Sequence, residues 1–362
     1  MTNNSNFHFH IFCRLLTGIL SVCILIGCNS DDSMVSNSPL EEEVDTISIG
    51  EFKNPVFQPV FADPSVVKGD DGYYYAYATE DDWGKGDVHL VPIIRSKDLV
   101  NWNYITDAFE TKPTWKDHGF IWAPDVTKVD GKYFMYYSYS LWGDSDPGVG
   151  LAISDKPEGP FEDQGKLFIS SEVGVSNSID PFYIEDDGKK YLFWGSFHGI
   201  YGIRLTDDGK AIEGEKFQVA GDFMEATYIY PKDGYYYLFG SAGTCCDGAN
   251  STYKVVIGRS ENIEGPYVSK EGNSFINTMG SILLDANATG GYAGPGHNAE
   301  LITDDEGNDW ILYHAISKTE PYLPAGATKR PLMLEKITWK DGWPTIKNNQ
   351  PGTGVQNAPV FE

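Results

Sequence analysis

Three acidic side chains recur at one phase of a repeated segment: Asp63 in FADPSV, Asp180 in IDPFYI and Glu225 in MEATYI. Behind each comes a turn glycine (Gly72, Gly188, Gly234) and then an aromatic strand, YYYAYAT, KYLFWGS or YYYLFGS. Carboxylates gathered in one cleft raise each other's pKa, which separates a protonated acid from an ionised base. That division of labour cleaves glycosidic bonds. A single Asp beside a proline reads as a strand-entry or turn residue, but three acids in phase weaken that account.

The elements that must position these acids follow from the same repeat. WAPDVTKVDGKYFMYYS places Ala123 at the acid position, and HNAELITDDEGNDWILYH places Asn298 there. Five segments, starting near residues 61, 121, 178, 223 and 296, each read as strand, tight turn, strand, with a further strand-like stretch before the next. Their turns are Asp71-Gly72, Asp130-Gly131, Asp187-Gly188, Asp233-Gly234 and Glu306-Gly307, a strong hairpin signal. The pattern predicts an all-β, five-bladed β-propeller forming one catalytic domain over residues 50–362, with equivalent positions converging near its axis. Uneven spacing between repeats requires insertions, and loops at one end of such an array shape a binding surface. TEDDWGKGDVHLVP and LWGDSDPGVG are two such stretches, expected to close one side of a cleft.

Residues 1–27 carry an apolar run behind Arg14, too short to span a bilayer and placed as a secretory signal. The run ends in Leu25-Ile26-Gly27-Cys28, which resembles a bacterial lipobox and implies a lipidated Cys28; the alternative is an ordinary signal with an incidental cysteine. Residues 28–49 are polar and acidic and read as a flexible tether. Acidic residues behind the cysteine resemble the surface-export signal of Bacteroidetes lipoproteins, so the expected location is the bacterial outer membrane, held only through the lipid. The net charge of −25 excludes nucleic acid and anionic lipid as partners and suits a neutral substrate. Processing would leave Cys28 and the adjacent pair Cys245-Cys246. No spaced Cys/His set accompanies that pair, so a packed thiol pair is the first expectation and a vicinal disulfide the second.

Aromatic residues make up 14% of the chain, and Trp122, Trp142, Phe197 and Trp83 are the candidates expected near the cleft opening. FADPSV, WAPDV, SIDPF, the Glu of MEATYIY and RPLMLEKITWKDGWP together resemble glycoside hydrolase family 43, over about residues 55–347. These are five-bladed propellers that hydrolyse arabinofuranosides and xylosides with inversion. The resemblance implies Asp63 as general base, Glu225 as general acid and Asp180 as the residue that orients the acid and tunes its pKa. Residues 243–272 and GPGHNAELI are similar to the arabinan-active branch, which implies an arabinose- or xylose-containing oligo- or polysaccharide as substrate. No cofactor is then needed for the chemistry. His297 matches a histidine that helps hold a structural Ca²⁺ in the central channel, largely through waters, and a merely hydrogen-bonded histidine is the alternative. Arg330 matches an arginine of the substrate pocket; alone it reads as a surface cation. His314, in LYHAI, reads as structural.

The chain departs from the endo-acting members at GSFHGI, where Phe197 and His198 are expected to face substrate but a tryptophan is missing. Two alternatives stay open: a β-xylosidase or mixed xylosidase/arabinofuranosidase, and a glycan-binding surface propeller. The second gains nothing from carboxylates that repel one another.

Overall fold

Four Asp-Gly pairs and one Glu-Gly pair fold back aromatic strands, and the rest of the architecture follows from how those hairpins bury their faces. In the computed structural model, residues 50–362 are described; the expected signal, Cys28 and the tether lie outside the described residues. Blade 1 comprises strands Ser65–Lys68, Tyr74–Tyr77, Pro92–Ser96 and Asn103–Asp107. Blade 2 comprises Phe120–Val129, Lys132–Ser140, Gly148–Ser154 and Glu162–Ile169, and blade 3 Phe182–Asp186, Lys189–Trp194, Ile200–Leu205 and Ile212–Ala220. Blade 4 comprises Glu225–Lys232, Tyr235–Ala242, Lys254–Ser260 and Ser281–Leu284. Blade 5 holds Tyr292–Gly296 and Ile302–Thr303 on its inner edge, then Asp309–Ser317, Leu332–Lys340 and Trp343–Thr345. Within blades 1 to 4 every pairing is antiparallel between neighbours in sequence, as a meander of short hairpins requires; in blade 5 Tyr292–Gly296 and Ile302–Thr303 both pair antiparallel with Asp309–Ser317.

Three hairpin turns, Asp130-Gly131, Asp187-Gly188 and Asp233-Gly234, hold both residues at positive φ, the geometry that matches strand twist. Blades 1 and 5 differ. There Gly69 and Asp304 donate their N–H groups to Tyr73 and Asn308 carbonyls, making a longer turn in which only Gly72 and Gly307 need the left-handed region.

The core lies between blades. Tyr75, Tyr77 and Ile93 of blade 1 pack with Ile121, Val126, Met135 and Tyr137 of blade 2. Leu151 and Phe168 of blade 2 pack with Leu192, Trp194 and Ile203 of blade 3 in the same way. The middle strands therefore bury both faces, which explains why Tyr74–Tyr77 and Lys132–Ser140 are apolar nearly throughout, while outer strands such as Glu162–Ile169 are polar and exposed.

Closure brings the two ends of the domain together. Asn54 donates to the Leu334 carbonyl and to Glu335 Oε1, each at 2.9 Å, and accepts from the Leu334 N–H at 2.9 Å. Glu51–Phe52 pairs with Gln356–Asn357. Glu335 also accepts from the Gly352 N–H at 2.6 Å, and burial pushes its carboxyl up to about 7. This seam ties the first and last segments of the domain together through a two-stranded sheet separate from the five blades.

Candidate active site

Each blade enters its inner strand through a non-glycine residue in the left-handed region: Asp63 (φ 54°), Ala123 (41°), Asp180 (57°), Ala226 (60°) and His297 (42°). Such backbone persists only where its surroundings hold it, and it is concentrated at functional sites. Alignment on the turn glycines puts Glu225 and Asn298 at this position, whereas the backbone puts Ala226 and His297 there. The offset is one of spacing: Ala226 lies eight residues before Gly234, as Ala123 and Asp180 lie before Gly131 and Gly188, whereas Glu225 lies nine before it, as Asp63 lies before Gly72 in its longer turn. Glu225 is therefore not the strict counterpart of Asp63 and Asp180, although it reaches the same space.

The kinked N–H groups are collected by a residue near the end of the second strand of the preceding blade. Thr79 Oγ1 accepts from Ala123 at 2.9 Å, Ser138 Oγ from Asp180 at 2.8 Å and Ser241 Oγ from His297 at 2.8 Å. At the closure of the ring, His314 Nδ1 accepts from Asp63 at 3.2 Å. The Ala226 N–H instead goes to Asp180 Oδ2 at 3.2 Å, and Ser196 Oγ donates to Glu225 Oε2 at 2.6 Å. Thr79, Ser138, Ser196, Ser241 and His314 close the segments AYAT, YYS, WGS, FGS and LYH, a second repeat visible in the sequence. Sequence reasoning attached no role to it because it carries no acid. His314, expected to be structural alone, stands against Asp63.

Asp63 is held from several sides. Arg330 Nη1 lies 3.1 Å from its Oδ1, Thr79 Oγ1 donates to Oδ2 at 2.6 Å, and Nδ1 of His297 lies 3.4 Å from Oδ1. Burial alone would raise its pKa; Arg330 foremost, then His297, hold it well below the usual carboxylate range. Burial pushes Asp180 up to about 8, with the charges of Glu225 and Asp63 adding and His297 opposing. Burial also raises Glu225, against hydrogen bonds donated by Ser196 and by the Tyr253 hydroxyl, the latter at 2.8 Å to Oε1. The surroundings thus favour the protonated form of Asp180 and Glu225 and the anionic form of Asp63. Burial disfavours a charged His297, yet Asp63, Asp180 and Glu225 raise its pKa. His314 is driven the other way, down to about 3, by burial and then by Arg330, so its ring is neutral and its Nδ1 free to accept.

The aromatic candidates divide. Trp122 is half-buried, lies parallel to Phe120 at 6.5 Å and stands 5.7 Å from Trp142. Phe197 and His198 are exposed on the turn between the second and third strands of blade 3, where the Phe197 N–H donates to the Met224 carbonyl at 3.0 Å, next to Glu225. Trp83 offers no face at an opening. It is buried against Val60, Ala62 and Leu323, with its ring 3.9 Å from that of His89. Cys245 and Cys246 form a vicinal disulfide, not the packed thiol pair expected first.

Beneath the acids the channel narrows to a cavity of about 20 Å³ lined by Ser65, Asp125, Thr227, His297, Asn298 and Glu300 among others. Asp125 and Glu300 face each other there, and burial raises both. Asn298 Oδ1 and Thr227 Oγ1 are buried without a hydrogen-bond partner among the described residues. Space for one water or ion bordered by hard oxygen atoms fits Ca²⁺. No group of three or more His, Cys, Asp or Glu side chains is arranged around a metal position among the described residues, so water would complete any coordination.

A five-bladed propeller that gathers one carboxyl held low in pKa and two held high around its axis has the site of a β-propeller hydrolase of the acid–base type. The chain belongs to glycosyl hydrolases family 43, whose model matches residues 52–344. It is 32% identical over 291 residues to the extracellular exo-α-(1→5)-L-arabinofuranosidase of Cellvibrio japonicus, covering 72% of this chain and 81% of the relative. It is also 32% identical to the extracellular endo-α-(1→5)-L-arabinanase 1 of Bacillus subtilis, covering 78% of this chain and 86% of that one. The structure of the Cellvibrio cellulosa α-L-arabinanase complexed with arabinohexaose superposes with a TM-score of 0.70 at 31% identity, covering 80% of this chain and 96% of that one.

Proposed function

We propose that the protein is an inverting glycoside hydrolase that cleaves α-L-arabinofuranosyl linkages in arabinan, with Asp63 as general base, Glu225 as general acid and Asp180 tuning Glu225. The observation that carries the reading is the opposite protonation of carboxyls from different blades around one axis: Asp63 pinned as an anion by Arg330, Glu225 and Asp180 raised. An inverting displacement needs that pairing, because the base must take a proton from water while the acid gives one to the departing oxygen.

In the reaction the Asp63 carboxylate accepts a proton from a water that attacks the anomeric carbon. Glu225 transfers its proton to the glycosidic oxygen as that bond breaks, and one proton is taken up for each one released. Arg330, Thr79 and the N–H donated to His314 fix the orientation of Asp63. Asp180, bound through Ala226 next to the acid, restores the proton balance of the pair. Trp122, Phe197 and His198 supply contacts to the sugar on the Glu225 and blade 2 sides.

A Ca²⁺ ion in the channel is part of the same reading, held by Asn298 and Thr227 and, through water, by His297. It would tie blades 4 and 5 together beneath the acids. Residues 1–27 act as the export signal and Cys28 as the lipid anchor, with residues 28–49 tethering the 50–362 domain outside the cytoplasm; the extracellular relatives support secretion. Proton NMR of the first turnovers tests the mechanism. The anomer released before mutarotation should be inverted, and a retained configuration would be incompatible with Asp63 as base.

A further inference from the structure

We propose that the enzyme attacks arabinan from a chain end, because loops of blades 4, 5 and 1 form a continuous wall on the Asp63 side while the polymer runs out over exposed aromatics of blade 2. The proposal rests on the arabinan reading above. Family membership leaves the mode of attack open, since both an exo-acting and an endo-acting enzyme are similar to this chain.

The wall is built from contacts between loops. In the blade 1 loop, residues 79–91, Trp83 packs on Leu323 of the blade 5 loop, and a Cβ at Gly84 would lie 3.4 Å from the Leu323 Cβ. The blade 5 loop, residues 318–331, is braced internally by the Lys329 N–H donating to the Pro321 carbonyl at 2.9 Å. It is pinned to blade 4 where Thr328 Oγ1 donates to the Cys246 carbonyl at 2.9 Å. Tyr322 covers Gly248 so closely that a Cβ there would meet its hydroxyl at 2.3 Å. The Cys245–Cys246 disulfide restricts the blade 4 loop at this junction.

The two ends of the wall reach the catalytic centre. The blade 4 loop leads into Tyr253, which donates to Glu225, and the blade 5 loop leads into Arg330, which holds Asp63. In an in-line displacement the base stands on the face away from the departing oxygen. The blade 5 and blade 1 part of the wall, beside the base, therefore bounds the sugar that is released and stands where the chain would continue. Blade 2 has the opposite character. Trp142 is 79% exposed at the edge of a groove of about 320 Å³, and Phe120 is 42% exposed beside Trp122. Flat apolar rings of this kind stack on sugar faces. A site closed on one side and supported on the other takes a chain by its end.

The test is the product series from linear arabinan. The wild-type enzyme should release arabinose or one short oligosaccharide as the sole early product, with viscosity falling slowly as reducing ends appear. Mixed lengths in the first stage of cleavage overturn the proposal and leave the arabinan activity standing; no cleavage of arabinan overturns the activity and the proposal together. Tyr322→Ala should widen the product set, and an unchanged single product in a variant that melts like the parent overturns the assignment to the wall. Trp142→Ala should lower kcat/KM on arabinan about two- to tenfold more than on a short aryl arabinofuranoside, the range expected of one aromatic stack. Equal losses on both substrates overturn the path assigned to the chain.

Discussion

The backbone N–H of Asp63 donates to Nδ1 of His314 at 3.2 Å, across the seam where blade 5 meets blade 1. At the corresponding position blades 1, 2 and 4 use the hydroxyl of Thr79, Ser138 or Ser241. The imidazole is larger, fully buried and stacked 5.9 Å from Tyr253, the residue that also donates to Glu225. One ring thus touches the surroundings of both the base and the acid.

His314→Ser restores the hydroxyl used elsewhere but leaves a cavity under Asp63. We expect kcat to fall about ten- to a hundredfold, since displacement of a reacting group by an ångström costs about that much. KM should change far less. Steady-state kinetics beside a thermal melt check this, and a fall in melting temperature with kcat intact would make His314 a packing residue only.

Arg330 keeps Asp63 ionised, so Arg330→Ala should raise the Asp63 pKa and move the acidic limb of the kcat/KM profile to higher pH. The sign follows from Asp63 acting as an anion: activity disappears as pH falls through its pKa, and loss of the guanidinium lets that happen sooner. At its optimum the variant should lose about ten- to a hundredfold, the worth of a charge-assisted contact. The alkaline limb belongs to the Asp180–Glu225 pair, with Asp180 near pH 8, and should stay in place. A pH series on an aryl arabinofuranoside separates the two limbs.

Glu225→Gln removes the proton that the leaving oxygen needs. Hydrolysis of arabinan should become undetectable, while aryl arabinofuranosides with activated leaving groups keep part of their rate. Asp63→Asn should instead be severe for every substrate, by about a hundred- to ten-thousandfold, because no other group is placed to deprotonate water. Comparing the two variants over leaving groups of graded acidity decides the roles, and identical sensitivity would exclude the assignment of Glu225 as acid.

If Ca²⁺ occupies the channel, chelation should lower the melting temperature and activity, with added calcium restoring both by mass action. Asn298→Ala should reduce the response to calcium more than it reduces activity in saturating calcium. Metal analysis of the purified protein, read with the melting series, is the check; no bound metal and no chelator effect would remove the ion from the reading.

Cys28→Ala should release the protein from the membrane fraction, or leave it unprocessed, without altering the domain that begins near Gly50. Mass spectrometry of the mature N-terminus is the measurement. A mature chain starting elsewhere, with no lipid, would end the anchor hypothesis.

How much of this was legible in the sequence depends on range. The five blades, their hairpins and two of the three acids at their strand entries come from local rules, because an Asp-Gly turn between aromatic strands specifies a neighbour only a few residues away. Glu225 was legible as an acid near the entry but not in its true register, since a spacing of eight or nine residues to the turn glycine does not say which of two neighbours takes the kink that falls on Ala226. Trp83 was misplaced because its composition cannot say that Leu323 will cover it. The vicinal disulfide and two separate thiols are the same two letters.

The environment of Asp63 exists only in the closed ring. Its partners His314 and Arg330 lie 251 and 267 residues away and meet it only when blade 5 closes on blade 1. Their effect is electrostatic and steep with distance, so the same arginine is a solvated surface cation in the chain and the anchor of an anion in the ring. Which residues can do acid–base chemistry, and the architecture that gathers them, are already readable in the chain, because both follow from residue type and short-range pairing. Ring closure assigned the protonation states, since those depend on burial and charges that no local pattern contains.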